Sequence, residues 1–203
     1  LTRQLWQKGM RQVSEVALFI DMESNYYIGT QSGYDMVEYQ TEQLNRMGLP
    51  WDCYLTDDLL TGRIPHDRLK LYIFANLFKP GKRILAEVKR LRQSGKSVLF
   101  LHAPGYLQDE GFTLAGMTGL TGFQFVREED CAMVTVAPGP WNLSGQAIAF
   151  GFKQACAPLF SVTDQDCDVI GRFQDNGRPA FVLRQQGSSF TAYCAVGRLP
   201  AAI

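Results

Sequence analysis

Asp21 and Glu23 stand two residues apart at the end of an apolar run, Val16-Ala-Leu-Phe-Ile20. On an extended segment such residues share a face, so both carboxylates can enter one crevice, as general acid–base chemistry requires. His102 ends a second run, Ser97-Val-Leu-Phe-Leu101, and brings the side chain whose ordinary pKa lies nearest neutrality. Ser24, Asn76 and Tyr106 fall just beyond the ends of apolar runs, completing a candidate ligand crevice of Asp21, Glu23, Ser24, Asn76, His102 and Tyr106. Covalent chemistry would add a nucleophile on a tight strand-to-helix turn. That turn reads Leu101-His-Ala-Pro-Gly105, and no cysteine or serine lies between residues 98 and 112. Pro104 also removes a backbone N–H that an oxyanion hole would use. No residue is assigned as catalytic.

Each candidate has a plainer reading. Asp21 can accept hydrogen bonds from the next loop's backbone while Ser24 or Asn25 caps a turn, and this is the preferred account of it. A strand-end histidine is more often a structural hydrogen-bonder than a base. Tyr26, Tyr27 and Tyr106 suit either an aromatic platform for a sugar ring or a domain or subunit contact. Asp164, Asp166, Asp168 and Asp175 have calcium-loop spacing, but Val169 occupies the place that needs glycine, so no metal is expected. The two histidines, His66 and His102, lack ligand spacing to any cysteine. Gly81, Gly95 and Gly105 do not form a dinucleotide fingerprint, so no cofactor is expected either.

The elements that would position these residues follow from periodicity. Residues 16–20, 51–55, 69–74 and 97–101 read as strands, the first as a central one covered on both faces. Tyr34, Val37, Thr41, Leu44 and Met47 recur at helical spacing and Gly48 supplies a stop. A second helix opens at Pro80, carries a stripe of Ile84, Leu85, Val88 and Leu91, and closes at Gly95. The lysines and arginines from Lys79 to Lys96, among them Lys82, Arg83, Lys89, Arg90 and Arg92, read as a solvated face in preference to an anion or partner site. This alternation implies right-handed βαβ units and a parallel sheet. Ligands in such sheets bind beyond the strands' carboxyl ends, where the six candidates fall. After Gly105 come a short helix within 112–120 and short strands at 123–126 and 132–136. A Pro/Gly-rich loop over 137–145 precedes antiparallel runs at 159–162, 168–173, 180–184 and 190–196, with turns at Asp175-Asn-Gly177 and Gln186-Gly187.

Composition excludes several partners. Twenty basic residues balance twenty acidic ones, so no bulk charge favours nucleic acid or an anionic membrane. Apolar runs fall well short of the ~18 residues of a membrane span. The five cysteines, Cys53, Cys131, Cys156, Cys167 and Cys194, form no C-x-x-C pair and read as buried free thiols, which suits a reducing cytoplasm. The chain opens at Leu1 and closes at Ala201-Ala-Ile203, and reads as a segment of a longer protein.

One resemblance spans nearly the whole chain. The order FIDMES (19–24), LYIFANLF (71–78), VLFLHAPGY (98–106), LTGF (120–123), VIGRF, RPAFVLR and VGRLP (196–200) resembles the β-galactosidase trimerisation domain of family-42-type glycoside hydrolases. The resemblance implies a class I glutamine amidotransferase-like, flavodoxin-like three-layer sandwich with a mostly parallel sheet, followed by antiparallel hairpins. Active amidotransferases of that fold carry G-x-C-x-G at the elbow, and here Ala103 falls about where the cysteine would be. Residues 1–14 would be a connecting helix from a preceding domain, 15–157 the α/β domain and 158–203 its C-terminal β extension. The implied function is a non-catalytic accessory and oligomerisation domain. Its partners would be a catalytic barrel and further copies of itself, a trimer by the resemblance. Two alternatives stand beside it: a module binding carbohydrate or another small polar ligand in the crevice, and a divergent hydrolase using His102 with a carboxylate.

Overall fold

The structure, a computed structural model, describes residues 13–27, 33–152 and 157–202. The expected connecting helix falls largely, and Cys156 wholly, outside these residues. Four parallel strands begin the fold: β1 (Val16–Ile20), β2 (Trp51–Leu55), β3 (Leu71–Phe74) and β4 (Ser97–Leu101), in the order β2-β1-β3-β4. β3 is shorter than the apolar run suggested and begins at Leu71, whose N–H bonds to Glu15 O at 3.1 Å at the start of its pairing with β1. A small hairpin, β5 (Leu107–Gln108) and β6 (Gly111–Phe112), follows β4, and β7 (Phe125–Glu128) pairs with β10 (Leu159–Val162) in a separate ribbon. The remaining strands are β8 (Met133–Val136), β9 (Ile148–Gly151), β11 (Asp168–Phe173), β12 (Pro179–Gln186) and β13 (Ser189–Cys194).

The main sheet has nine strands in the order β2-β1-β3-β4-β13-β12-β11-β8-β9. It is therefore mixed rather than mostly parallel. Parallel pairing runs from β2 to β13, and every pair beyond is antiparallel. The cause is topological: β13 slots beside β4 in parallel register, Thr191 opposite Val98 and Cys194 opposite Leu101, and its hairpin partner β12 must then run the other way. The C-terminal hairpins are continuous with the first sheet, and their interior is nearly as buried as the parallel half.

Side-chain alternation sorts the two faces of the parallel half. One carries an aromatic row: Tyr54, Phe19, Phe74 and Phe100 stack across four neighbouring strands with ring centroids 5.7, 5.2 and 5.5 Å apart. Such offset stacking suits the negative ring faces and positive edges. Helix α2 (Lys82–Gln93) buries Ile84, Val88 and Leu91 of its predicted stripe and half-buries Leu85, with Glu87 and Arg90 close enough to act on Tyr72 of this face. Arg92 leaves the solvated face assigned to it and donates to Leu120 O at 2.9 Å. The opposite face carries Val16, Leu71, Ile73 and Leu99. With Leu44 of α1 (Tyr39–Arg46) and Leu199 they line an apolar groove of about 110 Å³.

The face that α1 turns inward differs from the apolar stripe expected. Gln40 and Gln43 are buried while Met47 is exposed. Gln40 Nε2 donates to Gly197 O at 2.7 Å and Leu199 O at 3.3 Å, and Gln43 Oε1 accepts from Ala201 N at 3.2 Å. The helix tethers the C-terminal segment with amides where a greasy stripe would leave those backbone groups unpaired. The side chain of Tyr34 lies outside the described residues. Helix α3 (Leu114–Thr121) begins at an N-cap, Thr113, whose hydroxyl accepts from Ala115 N at 3.1 Å.

Candidate functional site

At the carboxyl edge Asn76 joins β1 to β3. Wholly buried, it accepts the Asp21 N–H at 2.8 Å and donates to Asp21 O and Asn25 Oδ1, both at 2.9 Å. An amide offers two donors, and both are committed to the protein itself. Ser24, also wholly buried, donates to Asp21 Oδ2 and accepts from Phe78 N at 3.0 Å and Lys79 N at 3.4 Å. It holds the loop after β3 against the short 3₁₀ helix Glu23–Tyr27. Burial, the larger influence, pushes the Asp21 carboxyl above its ordinary value, against the Ser24 hydrogen bond that pulls it down.

His102 ends β4 with φ 62, the left-handed region that costs a β-carbon-bearing residue free energy. The strained residue of the turn is thus His102, one place before Ala103. Its N–H donates to Cys194 O at 2.8 Å, and its carbonyl accepts the Tyr193 hydroxyl at 2.7 Å. The ring meets Phe78 edge-on at 5.7 Å, with Nδ1 3.3 Å from Ala195 O; as a neutral imidazole it donates there from Nδ1. Burial drives its pKa from 6.5 to about 4, so the ring is neutral near pH 7. Tyr106 packs on Phe112 at 5.3 Å and Phe160 at 4.7 Å.

The six predicted residues therefore separate into three settings. Ser24 and Asn76 are wired into the edge, and His102 and Tyr106 sit in an aromatic pack with Phe78 and Phe160. Asp21 and Glu23 line a cleft of about 370 Å³ beyond the ends of β1, β2 and β3. The cleft's other polar side chains are Thr56 and Asp57 after β2, which the sequence reading passed over, and Lys79, Lys82 and Arg83 around the start of α2, which it weighed as an anion or partner site against a solvated face. The available signal was position, since Thr56-Asp57 directly follows a predicted strand.

Elsewhere, Asp164 and Asp166 both bind Arg184 Nη2, each at 2.7 Å, and Asp168 lies in β11. The calcium spacing is spent on an arginine and a strand. Of the described thiols, Cys131 and Cys194 are buried as expected, but Cys53 is exposed on the edge strand β2. Tyr26 stands 88% exposed, so it forms no platform with the packed Tyr106. Among the described residues no helix is long and apolar enough to cross a membrane.

No protein-family model matches the chain, and no curated protein sequence does. Likeness is found among solved structures. A β-galactosidase from Bacillus circulans sp. alkalophilus superposes with a TM-score of 0.71 at 14% identity, over 93% of this chain and 29% of its own. A GH42 β-galactosidase from G. stearothermophilus gives 0.66 at 16% identity, over 92% of this chain and 28% of its own. A protein described as ThuA-like, from Bacteroides uniformis ATCC 8492, gives 0.57 at 11% identity, over 95% of this chain and 86% of its own. At these identities the likeness is one of fold. The chain spans less than a third of the β-galactosidases it superposes on.

Proposed function

We propose that this chain is a non-catalytic accessory domain of a larger glycoside hydrolase of β-galactosidase type. It packs on that protein's catalytic barrel and holds subunits together. In this reading residues 15–157 and 158–203 form one unit of amidotransferase-like, flavodoxin-like ancestry, extended by its hairpins, and the assembly is a trimer. The observation that carries it is coverage: 93% of this chain superposes on only 29% of a β-galactosidase. The turn after β4 agrees, with a neutral, buried histidine at its strained position and alanine and proline after it. The divergent-hydrolase reading is the less supported, since the His102 ring is buried against Phe78 and its Nδ1 is turned to the Ala195 carbonyl rather than to a carboxylate.

The ThuA-like match, which covers most of that protein's own length, shows why fold alone does not decide the role. The deciding measurement is made on the longer protein that contains this chain. Light scattering coupled to size exclusion reads its mass with and without residues 15–203. The expected result is an oligomer that falls to smaller species when the domain is removed. An intact protein that is strictly monomeric would sink the assembly role, and one with no barrel would sink the accessory reading.

A further inference from the structure

The cleft at the ends of β1, β2 and β3 has two walls of opposite charge. Asp57 follows β2 and Asp21 and Glu23 follow β1, neighbouring strands at one side of the sheet. Across from them, beyond β3, Lys82 and Arg83 begin α2. Among the described residues neither makes an ion pair, and Lys79 is drawn outward to Asp109 at 3.0 Å. Basic residues in a first turn oppose the helix dipole, whose positive end lies there. The first turn of α2 holds no acidic residue, and its N-cap, Gly81, offers no side-chain acceptor. The residues that begin this 12-residue helix, whose leading N–H groups have no partner within it, line the cleft together with two cations that make no ion pair among the described residues.

A separate feature marks the same cleft. Thr56 lines it, is 3% exposed, and its hydroxyl has no hydrogen-bond partner. Buried hydroxyls almost always have one, because an orphan forfeits its water without replacement. A simple anion would satisfy Thr56 and the helix end but would face three carboxylates, and a simple cation would face the helix end. The volume, about 370 Å³, falls within the ~300–1,000 Å³ of small-molecule sites.

We propose that this cleft binds a small zwitterion, a free amino acid in the simplest case. Its carboxylate lies on the first turn of α2 between Lys82 and Arg83, and its ammonium turns to Asp21, Glu23 and Asp57. The Thr56 hydroxyl serves a polar atom at the floor. This site stands apart from the accessory role, and either can fail without the other.

Calorimetric titration of the chain with the free L-amino acids, their N-acetyl derivatives and their methyl esters tests it. At least one amino acid is expected to bind, with both blocked forms weaker by about tenfold or more, the loss of one charge-assisted contact. Arg83→Glu, at an exposed position, should weaken that binding about tenfold or more while the far-ultraviolet dichroism stays unchanged. Thr56→Val, close to isosteric, should weaken it about threefold or more. Silence across the panel overturns the proposal, as does equal binding of the blocked forms. Binding of acetate or inorganic phosphate alone would mark a plain anion site and overturn it too.

Discussion

A histidine with positive φ at the end of a central strand is held there by its neighbours rather than by its own preference. Cys194 O, the Tyr193 hydroxyl and Ala195 O fix the backbone and ring of His102, and burial keeps the ring neutral. Its folded pKa of about 4 lies below the ordinary 6.5. The neutral ring's contribution is therefore complete above about pH 6.5 and is lost as pH falls toward 4. At about 1.4 kcal/mol per pKa unit, the loss reaches roughly 3 kcal/mol. Urea unfolding between pH 7 and 4 should show that extra loss in the wild type relative to His102→Asn, since asparagine tolerates left-handed backbone and does not titrate. Parallel curves would mean that the ring is open to water. Asn76→Ala removes three internal hydrogen bonds from a wholly buried site and should cost about 2–4 kcal/mol in the same assay at pH 7. A cost below about 1 kcal/mol would mean water replaces the amide. Both residues were recognisable in the sequence as polar groups at strand ends. A structural hydrogen-bonding role was the preferred reading of His102, but the partners of neither residue were legible, because those of Asn76 lie 55 and 51 residues away and those of His102 more than 90.

At the scale of elements, the turn after β4 is clasped to α3 by two glycines. A β-carbon at Gly116 would overlap Gly105 O, and one at Gly105, where φ is 73, would meet Gly116 O at 2.9 Å. Backbone stands on both sides, so neither neighbour can give way as a side chain could. Gly116→Ala should therefore destabilise by about 1–3 kcal/mol, against the small gain alanine normally brings inside a helix. Scanning calorimetry should register that as a fall in Tm of about 3–10 °C. A rise would mean that α3 can shift. The same elements mark how far local pattern reached. Strands 16–20 and 97–101 were legible as short continuous apolar runs buried on both faces, and the stripe of α2 by its helical period. The inward face of α1 was not, since Gln40 and Gln43 are buried by bonds to the far C-terminal segment, which no helical periodicity records. The β5–β6 hairpin and β9 escaped too, being short runs whose pairing comes from tertiary neighbours.

For the molecule as a whole, strand order was the least legible feature, because the sequence contains the strands but not the choice of neighbour. β13, the last strand of the chain, sits at the centre of the nine-stranded sheet and joins its parallel and antiparallel halves. Ala192, Tyr193 and Cys194 are at most 2% exposed there. A chain ending at residue 157 would bare the edge of β4, and it should lose its cooperative urea transition and bind hydrophobic dye; a sharp transition in that fragment would show the first half folding alone. The proposed assembly role requires an exposed apolar contact surface. Lys79 reaches both the Tyr27 hydroxyl, at 3.4 Å, and Asp109, at 3.0 Å, tying the Glu23–Tyr27 helix to the β5–β6 hairpin. Tyr26, 88% exposed, and Phe112, 73% exposed, belong to these two tied elements and are the rings that the proposed contact would cover. Aromatic residues in such settings are enriched at interface centres. The double variant Tyr26→Asp with Phe112→Asp should shift the longer protein to lower mass in light scattering. The Tm of this chain should stay within about 2 °C of wild type, since exposed substitutions rarely exceed about 0.5 kcal/mol. An unchanged mass would move the contact away from this edge, and a collapsed Tm would show these rings to be part of the chain's own core.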